Sequence, residues 1–393
     1  MKLNLLIVHG GAPTAVLNAS LYGAIKVGLS SSLVEKVYGA RFGTEGLLKG
    51  DLIDLTELNE SKLEQLLSTP GTAIGTSRTH LEPEDYLAMA RQCYHFHVGY
   101  VLFSGGNGTM EACARLADAA EIVKLEFNDS YRLLVAGIPK TIDNDLALTD
   151  HAPGYGSAAR YIAQTVREIA ADVQSLPIHV CIVEVMGRNA GWLTAAAALA
   201  RSSGNPAPHL IYLPERPFIE TEFLADVKAC HEKYGGVVVT VSEGLHLENG
   251  DPIVPPIFKT DRSVYFGDVS AYLAELVIKK LGIKARSEKP GIAGRSSIAL
   301  QSTVDRDEAI LAGYKAAEAV LSGANKVMVG FNRLMTSPYE IDPILLPIDK
   351  IKLTERLMPK EYINERGNDV TQAFCDWCRP LLGGELPEFI SLV

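Results

Sequence analysis

The sequence has few of the features that mark secreted or membrane proteins. Its 6 cysteines are spread thinly over 393 residues, which excludes a disulfide-rich scaffold and favours a reducing compartment. No run of about 18 apolar residues occurs, so no membrane-spanning helix is expected. The apolar stretch that ends at Val8 is too short for a secretory signal. We therefore expect a soluble cytoplasmic protein.

Positive charge is also scarce. Lysine and arginine number 37 against 47 aspartates and glutamates, for a net charge of -10. This balance argues against nucleic acid and against an anionic membrane as partners. A small anionic substrate would instead need a local basic pocket.

Short apolar runs alternate with helical stretches through most of the chain. The runs at 5–8, 100–103, 133–135, 180–185, 236–241 and 326–329 are typical of buried parallel strands. Helical patterns at 15–27, 110–120 and 158–173 lie between several of them. The alternation predicts an α/β fold with doubly wound, mainly parallel sheets, in which ligands bind beyond the carboxyl ends of the strands.

Two glycine-rich loops follow predicted strands and open predicted helices. The first, at 9–14, contains Gly10 and Gly11, and the second, at 104–109, contains Asn107, Gly108 and Thr109. Glycines let the backbone approach a ligand, and helix N-termini offer free N–H groups to phosphate oxygens. A tight turn explains either loop alone, but two such loops in one sheet favour a polyphosphate ligand.

The third loop, at 137–145, carries Lys140, Thr141, Asp143 and Asp145. Phosphoryl transfer to an alcohol needs a proton acceptor, a magnesium ligand and positive charge near the moving group. This loop supplies all three. A solvated acidic turn is the alternative interpretation, and the preceding Lys-Thr-Ile makes it the weaker one.

Residues 139–145, together with Glu-Val-Met-Gly-Arg-Asn-Ala-Gly-Trp at 184–192, resemble the signature segments of the phosphofructokinase family. Similar segments follow the family's order at 10–18, 71–78, 105–109 and 242–244. The likeness covers most of the chain. It implies two Rossmann-like domains and transfer of a terminal phosphoryl group, with Mg²⁺, to O1 of fructose 6-phosphate in glycolysis.

The resemblance also implies a role for each matching residue. Asp143 corresponds to the general base, and Asp145 with Asn107 to the metal-side residues. Thr141 and Arg188 correspond to residues that position and stabilise the transferred group, and Lys140 belongs to the same catalytic set.

Two binding sites follow from the same resemblance. The donor site is expected to contain Gly10, Gly11, Arg78, Asn107, Gly108 and Thr109. The sugar-phosphate site is expected to contain Thr141, Asp143, His179, Met186, Gly187, Arg188, Glu243, Arg286 and Arg295. In the family, some sugar-phosphate ligands come from a neighbouring subunit, which implies a homodimer or homotetramer.

Three positions depart from the family's pattern. Asn107 stands where many relatives carry aspartate, His179 where an arginine is common, and Ile292 where a histidine is common. These departures keep open a second class of function, a catalytically weak regulatory or sugar-phosphate-binding subunit. The retained carboxylates Asp143 and Asp145 favour the enzyme.

The donor markers disagree. Gly108 leaves room for a nucleotide, whereas Lys140 is typical of pyrophosphate users. Features over the whole chain favour pyrophosphate by a narrow margin, and ATP stays the alternative. A related acceptor such as sedoheptulose 7-phosphate also stays open.

The expected domains follow the same scheme. Residues 1–153 with about 297–350 would bind the phosphoryl donor, and residues 154–296 the sugar phosphate. Residues 351–393 would form a helical C-terminal extension.

Overall fold

The computed structural model describes residues 2–127, 131–259, 264–352 and 354–392, within which the chain forms strands and helices in alternation. The strands are β1 (Leu3–His9), β2 (Val34–Ala40), β3 (Leu52–Asp54), β4 (Val98–Gly105), β5 (Leu134–Pro139), β6 (His179–Val185), β7 (Leu210–Tyr212), β8 (Val237–Ser242), β9 (Pro256–Lys259), β10 (Val264–Phe266), β11 (Lys284–Glu288), β12 (Val327–Thr336) and β13 (Tyr339–Pro347).

The α-helices are α1 (Leu17–Ser30), α2 (Thr44–Lys49), α3 (Glu60–Leu66), α4 (Pro83–His95), α5 (Asn107–Phe127), α6 (Tyr155–Ser175), α7 (Trp192–Ala195), α8 (Glu220–Tyr234), α9 (Val269–Leu281), α10 (Ala293–Ser296), α11 (Thr303–Leu321) and α12 (Gln372–Cys378). Short 3₁₀ helices lie at Ala196–Ala200, Ile348–Lys350, Lys360–Tyr362 and Arg379–Leu382. None of the helices in the described ranges is long and apolar enough to cross a membrane.

The chain divides into two compact units. The first consists of Met1–Tyr155 and Ser296–Arg356, and the second of Gly156–Arg295 and Leu357–Val393. Most of the segment expected as a separate C-terminal extension therefore groups with the second unit. Its anchor is Arg167 on α6, whose guanidinium donates to the carbonyl oxygens of Ala200 and Pro387, both at 2.9 Å.

The first unit is built on a seven-stranded sheet in the order β13-β12-β5-β4-β1-β2-β3. The five inner strands run parallel, and the edge strands β13 and β3 are antiparallel to their neighbours. Leu5, Leu6, Ile7 and Val8 of β1 have no exposed surface. The apolar residues of β1 fall on both faces because helices cover a parallel sheet on each side.

The second unit contains a four-stranded parallel sheet in the order β11-β6-β8-β7, and β9 and β10 pair as a separate antiparallel sheet. All six predicted strands are present, and the predicted doubly wound α/β class is confirmed. Sequence patterns missed edge strands such as β11. Its residues, Lys-Ala-Arg-Ser-Glu, are largely exposed and contain no apolar run.

Candidate active site

Three loops follow parallel strands of the first unit. In the structure the first loop covers residues 10–16, after β1, and the third loop extends over residues 140–154, after β5; the second loop, residues 104–109, joins the end of β4 to the first turn of α5. β1, β4 and β5 are neighbours and run in the same direction, so their carboxyl ends lie along one edge of the sheet. This edge is where a parallel sheet binds ligands.

Glycines let the first two loops approach each other closely. A Cβ atom at Gly10 would lie 2.3 Å from Thr109 Oγ1, and one at Gly105 would lie 2.1 Å from the same oxygen. Thr109 is in the first turn of α5, so its hydroxyl lies where the free N–H groups of that helix also point. The expected donor residues Gly10 and Thr109 are therefore in direct contact.

Lys140 links the third loop to the other two. Its backbone N–H donates to the Gly105 carbonyl oxygen at 3.0 Å, and its Nζ donates to the Ala12 carbonyl oxygen at 2.5 Å. A Cβ atom at Gly11 would lie 3.4 Å from the same Nζ. Only 4% of Lys140 is exposed, so it brings a largely desolvated cation to the glycine loops.

The segment that precedes Arg78 packs along the first loop. Gly11 N–H donates to the Ser77 carbonyl oxygen at 3.1 Å, and Thr76 Oγ1 donates to the Gly11 carbonyl oxygen at 2.8 Å. Arg78 follows directly and its side chain is exposed. The described contacts thus bring the backbone before Arg78, rather than its guanidinium, against the glycines.

The hydroxyl of Thr141 organises the two carboxylates of the third loop. It accepts a hydrogen bond from Asp143 N–H at 3.0 Å and donates to Asp145 Oδ1 at 3.0 Å. Burial raises the pKa of the Asp145 carboxyl, and the hydrogen bond from Thr141 opposes that shift. A partly desolvated carboxylate of this kind is stabilised by a nearby cation.

Asn107 completes the oxygen ligands on the donor side. Its Nδ2 donates to Asp145 Oδ2 at 3.3 Å, while its Oδ1 is buried without a hydrogen-bond partner. Within the described ranges, no group of three or more His, Cys, Asp or Glu side chains could hold a metal. Magnesium nevertheless needs only one or two carboxylates when phosphate oxygens and water fill its other positions. Asn107 and Asp145 fit such a site.

His9 is a buried neighbour of these loops that the motif analysis missed. Its Nδ1 lies 2.7 Å from Thr72 Oγ1, in the segment that packs on the first loop. Burial, and secondarily the charge of Lys140, lowers the pKa of His9 to about 3. The imidazole is therefore neutral at neutral pH. Its position directly before Gly10-Gly11 was the one available signal.

Gly108 differs from the other glycines of the second loop. It is exposed in the first turn of α5, and a Cβ atom added there would meet no heavy atom within 4 Å. A side chain can therefore be introduced at this position without rearranging the backbone.

The second unit brings four expected sugar-site residues together at the carboxyl ends of β6 and β8. They are Met186, Gly187, Arg188 and Glu243. Gly187 N–H donates to Glu243 Oε1 at 3.2 Å. A Cβ atom at Gly244 would lie 1.7 Å from the Arg188 carbonyl oxygen, so only glycine allows this approach. Arg188 is exposed.

An ion pair between a buried carboxylate and a largely exposed lysine lies at the same end of this sheet. Lys289, directly after β11, pairs with the Glu184 carboxylate, whose Oε2 accepts a hydrogen bond from Ser270 N–H at 3.0 Å. Burial raises the pKa of Glu184, and Lys289 opposes the shift. Arg295 follows on α10, after the same strand. The sequence motifs did not single out Lys289 as a site residue.

The structure does not bring His179 and Arg286 to that end of the sheet. His179 is the first residue of β6, and the six-residue rise to Val185 places it about 20 Å from the carboxyl end. Arg286 pairs in register with Cys181 on β6. His179 and Arg286 both line a cavity of about 340 Å³ at the amino ends of β6 and β11.

The geometry of the loops agrees with a match along the sequence. The family model described as Phosphofructokinase matches residues 4–320. The chain belongs to the phosphofructokinase family. The resemblance inferred from the signature segments is thereby confirmed.

Individual phosphofructokinase relatives cover nearly the whole chain. This chain is 37% identical over 401 residues to a pyrophosphate–fructose 6-phosphate 1-phosphotransferase of Rhodospirillum rubrum, and the match covers 100% of this chain and 97% of the relative. It is 32% identical over 387 residues to a sulfofructose kinase of Alkalicoccus urumqiensis, covering 97% of this chain and 96% of the relative.

A solved phosphofructokinase structure has the same fold. The pyrophosphate-dependent phosphofructokinase of Marinobacter aquaeolei superposes with a TM-score of 0.87 at 32% identity, covering 99% of this chain and 94% of that one. The predicted phosphofructokinase fold is thereby confirmed.

Proposed function

We propose that this protein transfers a phosphoryl group from pyrophosphate to O1 of fructose 6-phosphate, giving fructose 1,6-bisphosphate and orthophosphate. The observation that carries the proposal is the third loop. Lys140 donates hydrogen bonds from this loop to both glycine loops, and the Thr141 hydroxyl forms hydrogen bonds with both Asp143 and Asp145. Relatives with this reaction in their names span the whole chain.

In the proposed reaction, Asp143 accepts the proton of the sugar O1 hydroxyl as the new O–P bond forms and the bond to the leaving phosphate breaks. Asp145 and Asn107 would hold Mg²⁺, which would supply positive charge to offset that of the donor phosphates. Thr141 and Arg188 position and stabilise the transferred group. The backbone N–H groups of the second loop bind the donor.

The donor assignment rests on Lys140, because a buried cation at the glycine loops neutralises a compact polyphosphate. Gly108 supports ATP as the alternative, since its open surroundings give no obstacle to a nucleotide. Initial rates with each donor, at equal Mg²⁺ and with fructose 6-phosphate as acceptor, distinguish them. A kcat/KM higher for ATP would overturn the pyrophosphate assignment.

We assign His179 and Arg286 to the 6-phosphate of a sugar bound by a second copy of the chain. Within one chain they lie at the opposite end of the sheet from Gly187 and Glu243, which supports action across a subunit contact. This assignment requires a homodimer or larger homo-oligomer. Arginine suits such a role because its guanidinium binds phosphate with two parallel hydrogen bonds.

A hybrid oligomer tests this assignment. Chains with Asp143→Asn should be nearly inactive alone, and chains with Arg286→Ala should have a raised KM for fructose 6-phosphate. Hybrids of the two, co-expressed with different tags, should regain the wild-type KM. One site in each hybrid then combines an intact Asp143 with the intact Arg286 of its partner. Hybrids that keep the raised KM of Arg286→Ala would show that both residues act within one chain.

The second class of function, a weakly catalytic sugar-phosphate-binding subunit, predicts binding without turnover. Calorimetry with fructose 6-phosphate, beside the donor assays, separates it from the enzyme. Sulfofructose should be included as an acceptor because a relative is named for it. In addition, Ile292, 66% exposed, stands where the family commonly has a histidine, so the loop before Arg295 lacks one cation that could bind a phosphate. A preference for sulfofructose would change the acceptor and leave the transfer chemistry intact.

The proposed setting is cytoplasmic glycolysis. All 6 cysteines are free, and five of them are buried, as expected in a reducing compartment.

A further inference from the structure

A buried cluster of charged side chains lies at the end of the third loop, away from Asp143. His151 Nε2 is 2.6 Å from Glu308 Oε2, and its Nδ1 is 2.9 Å from Asp150 Oδ2. Arg333 Nη2 lies 2.9 Å from the same Asp150 oxygen. Only 1% of the His151 side chain is exposed. Buried charges persist only when paired, and here two cations face two anions.

The cluster joins elements that are far apart in the sequence. Asp150 and His151 belong to the third loop, Glu308 to α11 and Arg333 to β12. Tyr339 on β13 donates its hydroxyl hydrogen to Glu308 Oε1 at 2.5 Å. His151 also stacks on Phe331 of β12, with ring centroids 5.3 Å apart and planes 23° apart. The ring is therefore fixed both at its edges and on its face.

The charged form of His151 suits this environment. Both ring nitrogens face carboxylate oxygens, which accept hydrogen bonds, so a ring that donates at both positions satisfies the cluster. Burial, the largest single influence, lowers the pKa of His151, but the charge of Glu308 and hydrogen bonds to Asp150 and Glu308 together raise it to about 9. Other charged or titratable groups at the cluster include Arg333, Tyr339 and Arg356, whose guanidinium donates to the Asp150 carbonyl oxygen.

Hydrogen bonds connect the cluster to the carboxylates of the third loop. Asp150 N–H donates to the Phe331 carbonyl oxygen at 2.8 Å, and Gly154 N–H donates to Asp305 Oδ1 at 2.8 Å. Between them, Ala152 N–H donates to Asn144 Oδ1 at 3.1 Å. Asn144 lies between Asp143 and Asp145 and has a positive φ of 52°, a conformation that needs support from its surroundings.

We propose that His151 is a positioning residue whose charged ring clamps the third loop to α11 and the β12–β13 hairpin and thereby orders the segment that carries Asp143 and Asp145. The consequence for catalysis rests on the proposed function, whereas the ordering of the loop does not. A small displacement of a catalytic group is costly because reacting atoms must be aligned within a few tenths of an ångström.

The test compares His151→Gln and Glu308→Gln with a matched control, His209→Gln. His209 is a half-buried histidine of the second unit whose Nδ1 accepts a hydrogen bond from Val238 N–H at 3.1 Å. Its replacement removes a packed imidazole without touching the third loop. Amide hydrogen exchange followed by mass spectrometry needs no substrate, so it tests the ordering of the loop even if fructose 6-phosphate is not the acceptor.

Exchange over residues 141–154 is expected to be about tenfold faster in His151→Gln and in Glu308→Gln, and unchanged in His209→Gln. In the same two variants, kcat should fall about tenfold, with KM for both substrates within about threefold of the wild type. The alkaline decline of kcat should begin at lower pH in Glu308→Gln, because the anion that favours the charged ring is gone.

Unchanged exchange over residues 141–154 in both variants would overturn the proposal, whatever the activity. Faster exchange with unchanged kcat would overturn the catalytic part, since the order of the loop would then not matter for transfer. If the wild type is inactive but exchange in the two variants changes as expected, the proposed function would be overturned and the proposed clamp would be retained. Glu308→Gln keeps the side-chain shape, so it remains informative if His151→Gln does not fold.

Discussion

The two units place their expected ligand-binding residues in different ways. In the first unit, residues from three loops bond to one another at one edge of the sheet, with Lys140 donating to Ala12 and Gly105. In the second unit, Gly187 and Glu243 lie at one end of the sheet, while His179 lies at the other. The first unit brings most of its expected donor residues together within one chain, whereas the second brings together only some of its expected sugar-site residues.

Under the proposed function, this difference predicts where a second chain would contribute to the sugar site. In the proposed reaction, backbone N–H groups and Lys140 bind the donor, and local packing can arrange both. The sugar 6-phosphate is a dianion bound by cationic side chains, and residues at the amino ends of a parallel sheet face a different surface. Substitutions in the first unit should therefore act within one chain, and those at His179 or Arg286 across chains.

The largest effect is expected for Asp143→Asn in the first unit. Loss of the proton acceptor should lower kcat by roughly 10²-fold or more, with a smaller change in KM for fructose 6-phosphate. The amide preserves the size of the side chain, so the hydrogen bond from Asp143 N–H to Thr141 should persist. Steady-state kinetics provide the measurement, and a kcat within a few-fold of the wild type would contradict the assignment of the base.

Gly108→Asp should separate the two donors. A carboxylate on the first turn of α5 would repel the α-phosphate of ATP, and a penalty near 3 kcal/mol corresponds to a loss of about 10²-fold in ATP-supported kcat/KM. Pyrophosphate is shorter, so its use should be retained. Lys140→Met is the opposite control and should impair the pyrophosphate reaction more. Equal losses for both donors in Gly108→Asp would show that this position does not select the donor.

The stability of the first unit should depend on pH through His151. Its pKa in the folded protein is about 9, above its ordinary value of 6.5, so the stabilisation is complete below pH 6.5 and is lost as pH rises through about 9. The free energy of unfolding should fall by about 2 kcal/mol between pH 7 and pH 9 from this group. His9, with a lowered pKa, acts oppositely and destabilises as pH falls below 6.5 towards 3.

Chemical denaturation, monitored by hydrogen exchange at several pH values, measures this dependence separately for each unit. Glu308→Gln should flatten the alkaline part of the curve for the first unit. Peptides of the second unit provide the internal control. An equal alkaline loss in Glu308→Gln and wild type would mean that other groups determine the pH dependence.

The smallest effect is expected for Arg286→Ala in the second unit. Loss of one guanidinium should raise KM for fructose 6-phosphate about tenfold, with the KM for the donor nearly unchanged. Lys280→Ala, which replaces an exposed cation on α9 outside the residues that line the cavity of His179 and Arg286, is the matched control. A selective rise in the donor KM would place Arg286 on the wrong ligand.

Sequence patterns predicted what is local along the chain. The third loop was predicted because Lys140, Thr141, Asp143 and Asp145 lie within six residues, and the parallel strands because apolar runs mark them. The separation of His179 from Gly187 depends on where β6 begins and on its register with β11, which no local pattern encodes.

Contacts between distant segments were also invisible. His9 meets Thr72 across 63 residues, and Lys289 reaches Glu184 from the next strand of the sheet. Each is a single polar residue in a stretch whose pattern indicates only a strand end. Pairs of this kind become apparent once the strand order is known, because the order decides which loops are neighbours.

The clamp on the third loop has a consequence for how the chain folds during synthesis. The partners that hold this loop are encoded 151 to 206 residues later, from Asp305 to Arg356. The whole of residues 156–295, with a sheet of its own, must leave the ribosome before they appear. Contacts of such long sequence separation form late. We therefore expect a nascent chain that ends before Asp305 to hold the sheet strands of its amino-terminal part while the future catalytic loop still exchanges freely.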